Sequence, residues 1–174
     1  METLNVSNFG PVKSANVSLG DLTILVGPQA SGKSLFLELF KLIKDRKYIV
    51  SDLRDYNYIL TKANPDLVLD NYFGMGLHSL FHSDTEVECS GVKFNISNLT
   101  KMQSSSARTV ESVFYVPAQR ILSISDGRPK NFMEFDNTAP YVLRRFSETL
   151  RVFIQSGLGN PDTIFPMKNR LKGD

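Results

Sequence analysis

The chain has 174 residues, which suits one domain with room for a real core and is short for a multi-lobed machine. Its 41% hydrophobic and 22% charged residues are ordinary for a soluble globular protein, and a net charge of +2 is too small to argue by itself for nucleic acid or a membrane surface. The single Cys89 excludes an intramolecular disulfide framework, no apolar run is long enough to span a bilayer, and Glu2 stands where a secretory leader would be basic, so a cytoplasmic protein is the simplest expectation.

In chain order, Leu4 and Val6 alternate with polar neighbours, Phe9-Gly10-Pro11 breaks the run, and Ala15, Val17 and Leu19 alternate again. Period-two patterning around turn residues predicts an antiparallel hairpin with one wet face. Leu22 to Val26 loses the alternation and reads as a strand buried on both faces. From Ser34 to Lys44, Leu35, Leu39 and Ile43 form a helical stripe that Phe36 and Phe40 widen. Residues 46–111 are a variable middle, in which Asp66 to His82 suggests two short helices and 85–96 a hairpin about Ser90-Gly91. Thr100 to Arg108 reads as a surface connection. Ser112 to Val116 is a second buried-type strand, closed by Pro117. Leu143, Phe146, Leu150 and Phe153 predict a helix over 139–156, with Thr138 as cap, Pro140 in the first turn and Gly157 as the stop. Residues 158–174, with a basic cluster at Lys168, Arg170 and Lys172, resemble a connection more than an end.

One motif carries chemistry. Gly27-Pro28-Gln29-Ala30-Ser31-Gly32-Lys33-Ser34 has the spacing of a phosphate-binding P-loop, with an apolar strand before it and a helix after it, as that motif requires. A triphosphate needs several donors converging from one side. A loop with glycine at both ends can turn successive N–H groups inward as an anion nest, and the following helix adds its unpaired N-terminal N–H groups. Lys33 then serves the β- and γ-phosphates, and the Ser34 hydroxyl a Mg²⁺ ion.

The other constellations are weaker. Gln119, just past the second buried strand, stands where ligands collect in an open α/β sheet, and offers an amide oxygen to Mg²⁺ or to water; the alternative is a solvated Pro-containing turn. His78 and His82 are four apart, but Ser79 stands where zinc hydrolases need a glutamate, so no metal role is assigned. Asp70 ends the short run Leu67-Val68-Leu69 without a second acid and is given no catalytic role. Arg144, Arg145 and Arg151, together with the C-terminal Lys and Arg, offer a basic patch for nucleic acid; the plainer reading is the solvated face of an amphipathic helix.

The order LNVSNFGPVKSANVSLGDLTILVGPQASGKS, followed by FYVPAQR, resembles the N-terminal part of ABC-like ATPases of the structural-maintenance-of-chromosomes (SMC) and OLD-nuclease kind, among them bacterial "AAA domain" proteins associated with anti-phage defence. The match is good over residues 2–45, moderate over 112–120 and slight between them. It implies an α/β P-loop NTPase fold, an antiparallel hairpin joined to a buried sheet with flanking helices. It implies ATP or ADP with Mg²⁺, bound by the Walker A residues Gly27 to Leu35, and Gln119 as the Q-loop ligand. Adenine contacts then come from the first strands, with Phe9, Val12 and Lys13 as candidates.

The departure matters equally. Such ATPases also carry a signature motif and a Walker B strand ending in Asp-Glu, and neither is present in residues 1–174. The expectation is an N-terminal lobe, organised as 1–45, 46–111, 112–157 and 158–174, that binds nucleotide and hydrolyses little by itself. No catalytic residue is assignable. A second ATPase head in a homodimer, or a C-terminal lobe, is the expected partner; a nuclease or DNA is also open. The other reading is a nucleotide-gated module that docks such an effector without turnover. A self-sufficient P-loop kinase is disfavoured, because no Arg-rich lid is evident.

Overall fold

The alternation at the start of the chain folds as β1 (Glu2–Phe9) and β2 (Val12–Leu19), antiparallel, with Leu4 opposite Val17 and Val6 opposite Ala15. The computed structural model describes residues 2–60, 64–99 and 110–156. Leu4 and Val6 face the core, and strict alternation would turn Phe9 outward. A register shift between Ser7 and Phe9, with Asn8 at φ 52°, resets the phase and buries Phe9 completely. The other edge of β1 pairs with β3 (Phe81–Cys89), which pairs with β4 (Val92–Phe94), giving an antiparallel sheet of order β2-β1-β3-β4. Ser90 and Gly91 both have positive φ (49° and 81°), as the tight I′ turn of the expected hairpin requires.

Helix α1 (Lys33–Asp55) lies on this sheet's apolar side, and Phe36, Leu39, Leu42, Ile43, Ile49 and Leu53 join Leu4, Val6, Phe9 and Val87 in one buried cluster. It continues well past Lys44. A kink at Asp45 (φ −106°, ψ 16°) interrupts the stripe between Ile43 and Ile49, which is why the period fades in the sequence. Helix α2 (Pro65–Phe73) starts with proline in its first turn and the Asn64 side chain accepting from the Leu67 N–H. A 3₁₀ turn at Leu77–Leu80 follows, so two short helices occupy the expected region, while His82 falls in β3. One turn of helix, α3 (Ile96–Leu99), follows β4. A minimal hairpin, β5 (Ile124–Ser125) and β6 (Arg128–Pro129), turns at Asp126-Gly127 and leads to α4 (Tyr141–Gln155).

Helix α4 departs from its sequence reading in two ways. Thr138 does not cap it: the Thr138 N–H and hydroxyl both go to Asp136, and Pro140 holds the cap position. Its buried face is Tyr141, Val142, Leu143, Arg144, Ser147 and Glu148, whereas Phe153 and Ile154 are exposed. The polar members are inside because they have partners. Arg144 donates to the Ala139 carbonyl and the Tyr58 hydroxyl and lies over the rings of Tyr58 and Phe132. Ser147 donates to Ser123 and Lys130 carbonyls, and Glu148 accepts from the Phe132 N–H and from Arg151. Gly157 and the basic cluster at 168–172 lie outside the described residues.

The two expected buried strands are the main correction. Leu22–Val26 and Ser112–Val116 have no ladder partner among the described residues. Leu22, Ile24 and Val26 are 81%, 73% and 90% exposed, and Phe114 and Val116 are more than half exposed. A strand buried on both faces needs a neighbour on each edge, and the described residues supply none. The fold is therefore α/β with a small antiparallel sheet; the doubly covered sheet is not formed among them.

Residues 111–113 are instead held by side chains of α1. Asp45 accepts from the Ser112 N–H (2.8 Å), the Ser112 hydroxyl and the Val113 N–H (2.9 Å). Lys41 donates to Asp45 (3.1 Å), Glu111 (2.6 Å) and the Val113 carbonyl (2.5 Å). Lys41 and Asp45 are almost wholly buried. Burial pushes the Asp45 carboxyl up, but the hydrogen bonds from Ser112, Val113 and Lys41 together outweigh it and leave its pKa below the ordinary value.

Candidate nucleotide-binding site

The chain leaves Val26 and wraps through Gly27–Ser31 into α1, where the first helical bond is Phe36 N–H to the Gly32 carbonyl (2.8 Å). The amides of Lys33, Ser34 and Leu35 therefore precede the helical ladder and lack an acceptor within it. Ala30 (φ 60°) and Gly32 (φ 89°) are left-handed, which curls the loop into the alternating backbone of an anion nest. Gly32 has a second constraint. A Cβ there would lie 2.5 Å from Val12 Cγ2 and 3.1 Å from Pro11, so the β1–β2 turn is seated directly on the loop. The Lys33 ammonium turns back into the loop, donating to the carbonyls of Gly27 (2.9 Å) and Pro28 (2.5 Å) and to Ser31 Oγ (3.1 Å). A cation held by neutral acceptors alone is the group an entering anion would attract.

Two cavities flank the start of α1. One, of about 520 Å³, is lined by Ser31, Gly32, Lys33 and Phe36 together with Pro11, Val12 and Lys13 of the first hairpin. Of the three adenine-contact candidates, Val12 and Lys13 thus adjoin the loop. Phe9 does not: it is enclosed by Phe73 and Phe81, with ring centroids at 5.8 and 4.9 Å, and is unavailable to a ligand. The second cavity, of about 340 Å³, is lined by Ser34, Leu35, Glu38, Tyr115 and Gln119, with Thr138 to Leu143 closing one side. Ser34 and Gln119 are both exposed at its rim. Pro28 and Gln29 are exposed on the loop itself.

The sequence profile of the AAA ATPase domain family matches residues 1–137. The chain belongs to the AAA ATPase domain family. No curated protein and no solved structure matches it. Membership in this family supports nucleotide binding.

The donor set of this AAA ATPase domain fits a polyphosphate, since the alternating loop, the free amides of the helix start and the lysine are contiguous, with Ser31, Gly32 and Lys33 on the first cavity and Ser34 and Leu35 on the second. It also fits Mg²⁺, which takes one or two protein oxygens and fills its remaining positions from phosphate and water. The Ser34 hydroxyl and the Gln119 amide are such oxygens. A dedicated protein cage is not present: among the described residues no three His, Cys, Asp or Glu side chains are grouped to hold a metal. His78 lies in the 3₁₀ turn, where its backbone N–H and its ring both bond Asp70, at 2.9 Å, and so has a structural partner.

Two residues of the second cavity were not legible as site residues. Glu38 follows Ser34 by one helical turn and is buried beneath it, and burial pushes its carboxyl up to about 7 despite a hydrogen bond from Tyr115. Burial likewise raises the Tyr115 hydroxyl. The available signal was an acid on the apolar stripe of a P-loop helix, four residues after the hydroxyl. The arginines of α4 make no basic patch: Arg144 is fully buried, Arg145 pairs with Asp52 (3.5 Å) and the Tyr48 hydroxyl, and Arg151 pairs with Glu148. No helix is long and apolar enough to cross a membrane among the described residues.

Proposed function

We propose that this AAA ATPase domain binds ATP or ADP with Mg²⁺ through Gly27 to Leu35 and Gln119, as the Walker A lobe of an ATPase of the SMC and OLD-nuclease kind, and that turnover requires motifs residues 1–174 do not contain. The observation that carries this reading is the left-handed loop with the Lys33 ammonium inside it. The loop N–H groups and Lys33 would hold the phosphates, Val12 and Lys13 would border the base, and Ser34 with Gln119 would hold the metal. When bound, Mg²⁺ supplies charge neutralisation across the phosphate oxygens. Hydrolysis further needs a positioned base and a complete charge clamp. No apolar strand ending in two acids occurs in residues 1–174, which supports the reading that these groups come from outside them.

Segments 22–26 and 112–116, which have no ladder partner among the described residues, support the same reading, as edges onto which the strands of a C-terminal lobe would add. A second head in a homodimer would then cover the γ-phosphate. A cytoplasmic role in anti-phage defence or DNA maintenance, with a nuclease or DNA as the object, is in keeping with it. The other reading is a nucleotide-gated module that docks an effector without turnover. The test pairs calorimetric titration of the chain with Mg²⁺–ATP and a phosphate-release assay. Saturable binding, lost in Lys33→Ala, with phosphate release at the buffer level supports the proposal. Sustained turnover by the isolated chain would show the site to be complete and overturn the second half of it.

A further inference from the structure

Helix α1 carries a polar stripe along the side that meets residues 111–119. Ser34, Glu38, Lys41 and Asp45 recur at steps of four, three and four, which places them on one face of the helix. The segment runs back along this stripe. The Ser112 and Val113 amides lie at Asp45, Glu111 and the Val113 carbonyl lie at Lys41, and Tyr115, Pro117 and Gln119 share a cavity with Ser34, Leu35 and Glu38. One wall of that cavity is thus the start of α1, and the wall carrying Gln119 is a segment with no ladder partner among the described residues. Outside a sheet, such a wall keeps its place only by some other fastening.

The side chains of Lys41 and Asp45 supply one. Asp45 accepts from the Ser112 N–H (2.8 Å), the Val113 N–H (2.9 Å) and the Ser112 hydroxyl. Lys41 donates to Asp45 (3.1 Å), Glu111 (2.6 Å) and the Val113 carbonyl (2.5 Å), and both α1 side chains are almost wholly buried. A buried ion pair adds little stability over an apolar pair of similar volume, but a fully bonded buried network makes what it joins rigid. We propose that Lys41 and Asp45 are positioning residues for Gln119: they hold residues 111–119 at one register along α1 and so set how far the Gln119 amide stands from the Ser34 hydroxyl across the cavity. This rests on the nucleotide-binding reading above and deepens it. A clamp with only a structural role would change stability and leave the dependence of nucleotide affinity on Mg²⁺ as it is.

The test measures ATP affinity of the full chain in excess Mg²⁺ and in EDTA, for wild type, Gln119→Ala, Asp45→Asn, Ser112→Ala and the double variant of Asp45 and Gln119. The readout is the ratio of the two affinities, which a general loosening of the fold alters little because both arms share it. Asp45→Asn keeps the shape and turns a donor toward the donors of Lys41 and residues 112–113. Gln119→Ala should lower the ratio by at least about tenfold and Asp45→Asn by up to about that factor, with affinity in EDTA within about twofold of wild type. Ser112→Ala removes one hydroxyl donor at an exposed position, so that folding is not at stake, and should lower the ratio by about twofold. Adding Asp45→Asn to Gln119→Ala should do nothing more. Equal losses in both arms, a wild-type ratio in every clamp variant that folds, or an effect of Asp45→Asn that persists beside Gln119→Ala would overturn the positioning role while leaving nucleotide binding intact. A ratio that Gln119→Ala leaves unchanged would also overturn it. Wild type that binds no ATP, or binds as well with Lys33→Ala, would overturn the underlying reading and this inference with it.

Discussion

β1 and Leu22–Val26 are both short segments whose composition predicts a strand, and the more apolar of the two is the more exposed. β1 alternates, pairs on both edges and buries Leu4, Val6 and Phe9. Leu22–Val26 is apolar at four of five positions, pairs with nothing described and leaves Val26 90% exposed. The apolar content of a strand thus reports the neighbours it is suited to, which need not be the neighbours it has. Ser112–Val116 stands between these cases: Tyr115 packs against the core and the Val113 backbone is held by Lys41 and Asp45, while Phe114 and Val116 are more than half exposed, Phe114 with its ring beside Phe146.

Substitutions can break this comparison at either end. Phe9→Ala removes a fully enclosed ring and should cost about 3–5 kcal/mol in urea unfolding, whereas Phe114→Ala, which loses one ring contact with Phe146, should cost no more than about 1.5 kcal/mol. Equal costs would mean that the open segments are packed in solution. Asp45→Ala leaves Lys41 with Glu111 (2.6 Å) as its carboxylate partner but takes the acceptor from the Ser112 and Val113 N–H groups, and should cost about 1–3 kcal/mol, with faster proteolysis near residues 110–116. A mild effect there would move the anchoring of that segment elsewhere.

The pH dependence of stability sharpens the boundary between the two regions. Glu38 keeps its proton in the folded chain up to about pH 7, whereas in the unfolded chain it ionises near 4.5. Between these values the folded state binds more protons, so its contribution to stability is full below the lower one and is lost as pH rises to the upper one. The loss amounts to about 3 kcal/mol, and Glu38→Gln should flatten that part of a urea-midpoint profile. An unchanged profile would place Glu38 in water. The smallest effect is expected at Val26→Thr, within about 0.5 kcal/mol by thermal unfolding, with a gain in solubility as the measurable benefit.

The legible parts of the chain were those fixed by local chemistry. The hairpin about Ser90-Gly91 and the loop from Gly27 to Ser34 announce themselves, because a turn that needs positive φ recruits few residue types. The length of α1 was hidden by its kink, and the buried face of α4 by Arg144, Ser147 and Glu148, whose burial depends on partners far away in sequence. For the same reason Glu38 and Tyr115 could not be joined from spacing: they are 77 residues apart. Leu22–Val26 and Ser112–Val116 misled in the other direction, since their composition describes a sheet that the described residues do not complete.

Amide hydrogen exchange with and without Mg²⁺–ATP tests the phosphate cradle most directly. The account requires slowed exchange at residues 29–36, where the nest and the unbonded amides of α1 lie, with the β1–β3 ladder unchanged. Bound nucleotide that leaves those amides exchanging at their free rate would contradict it.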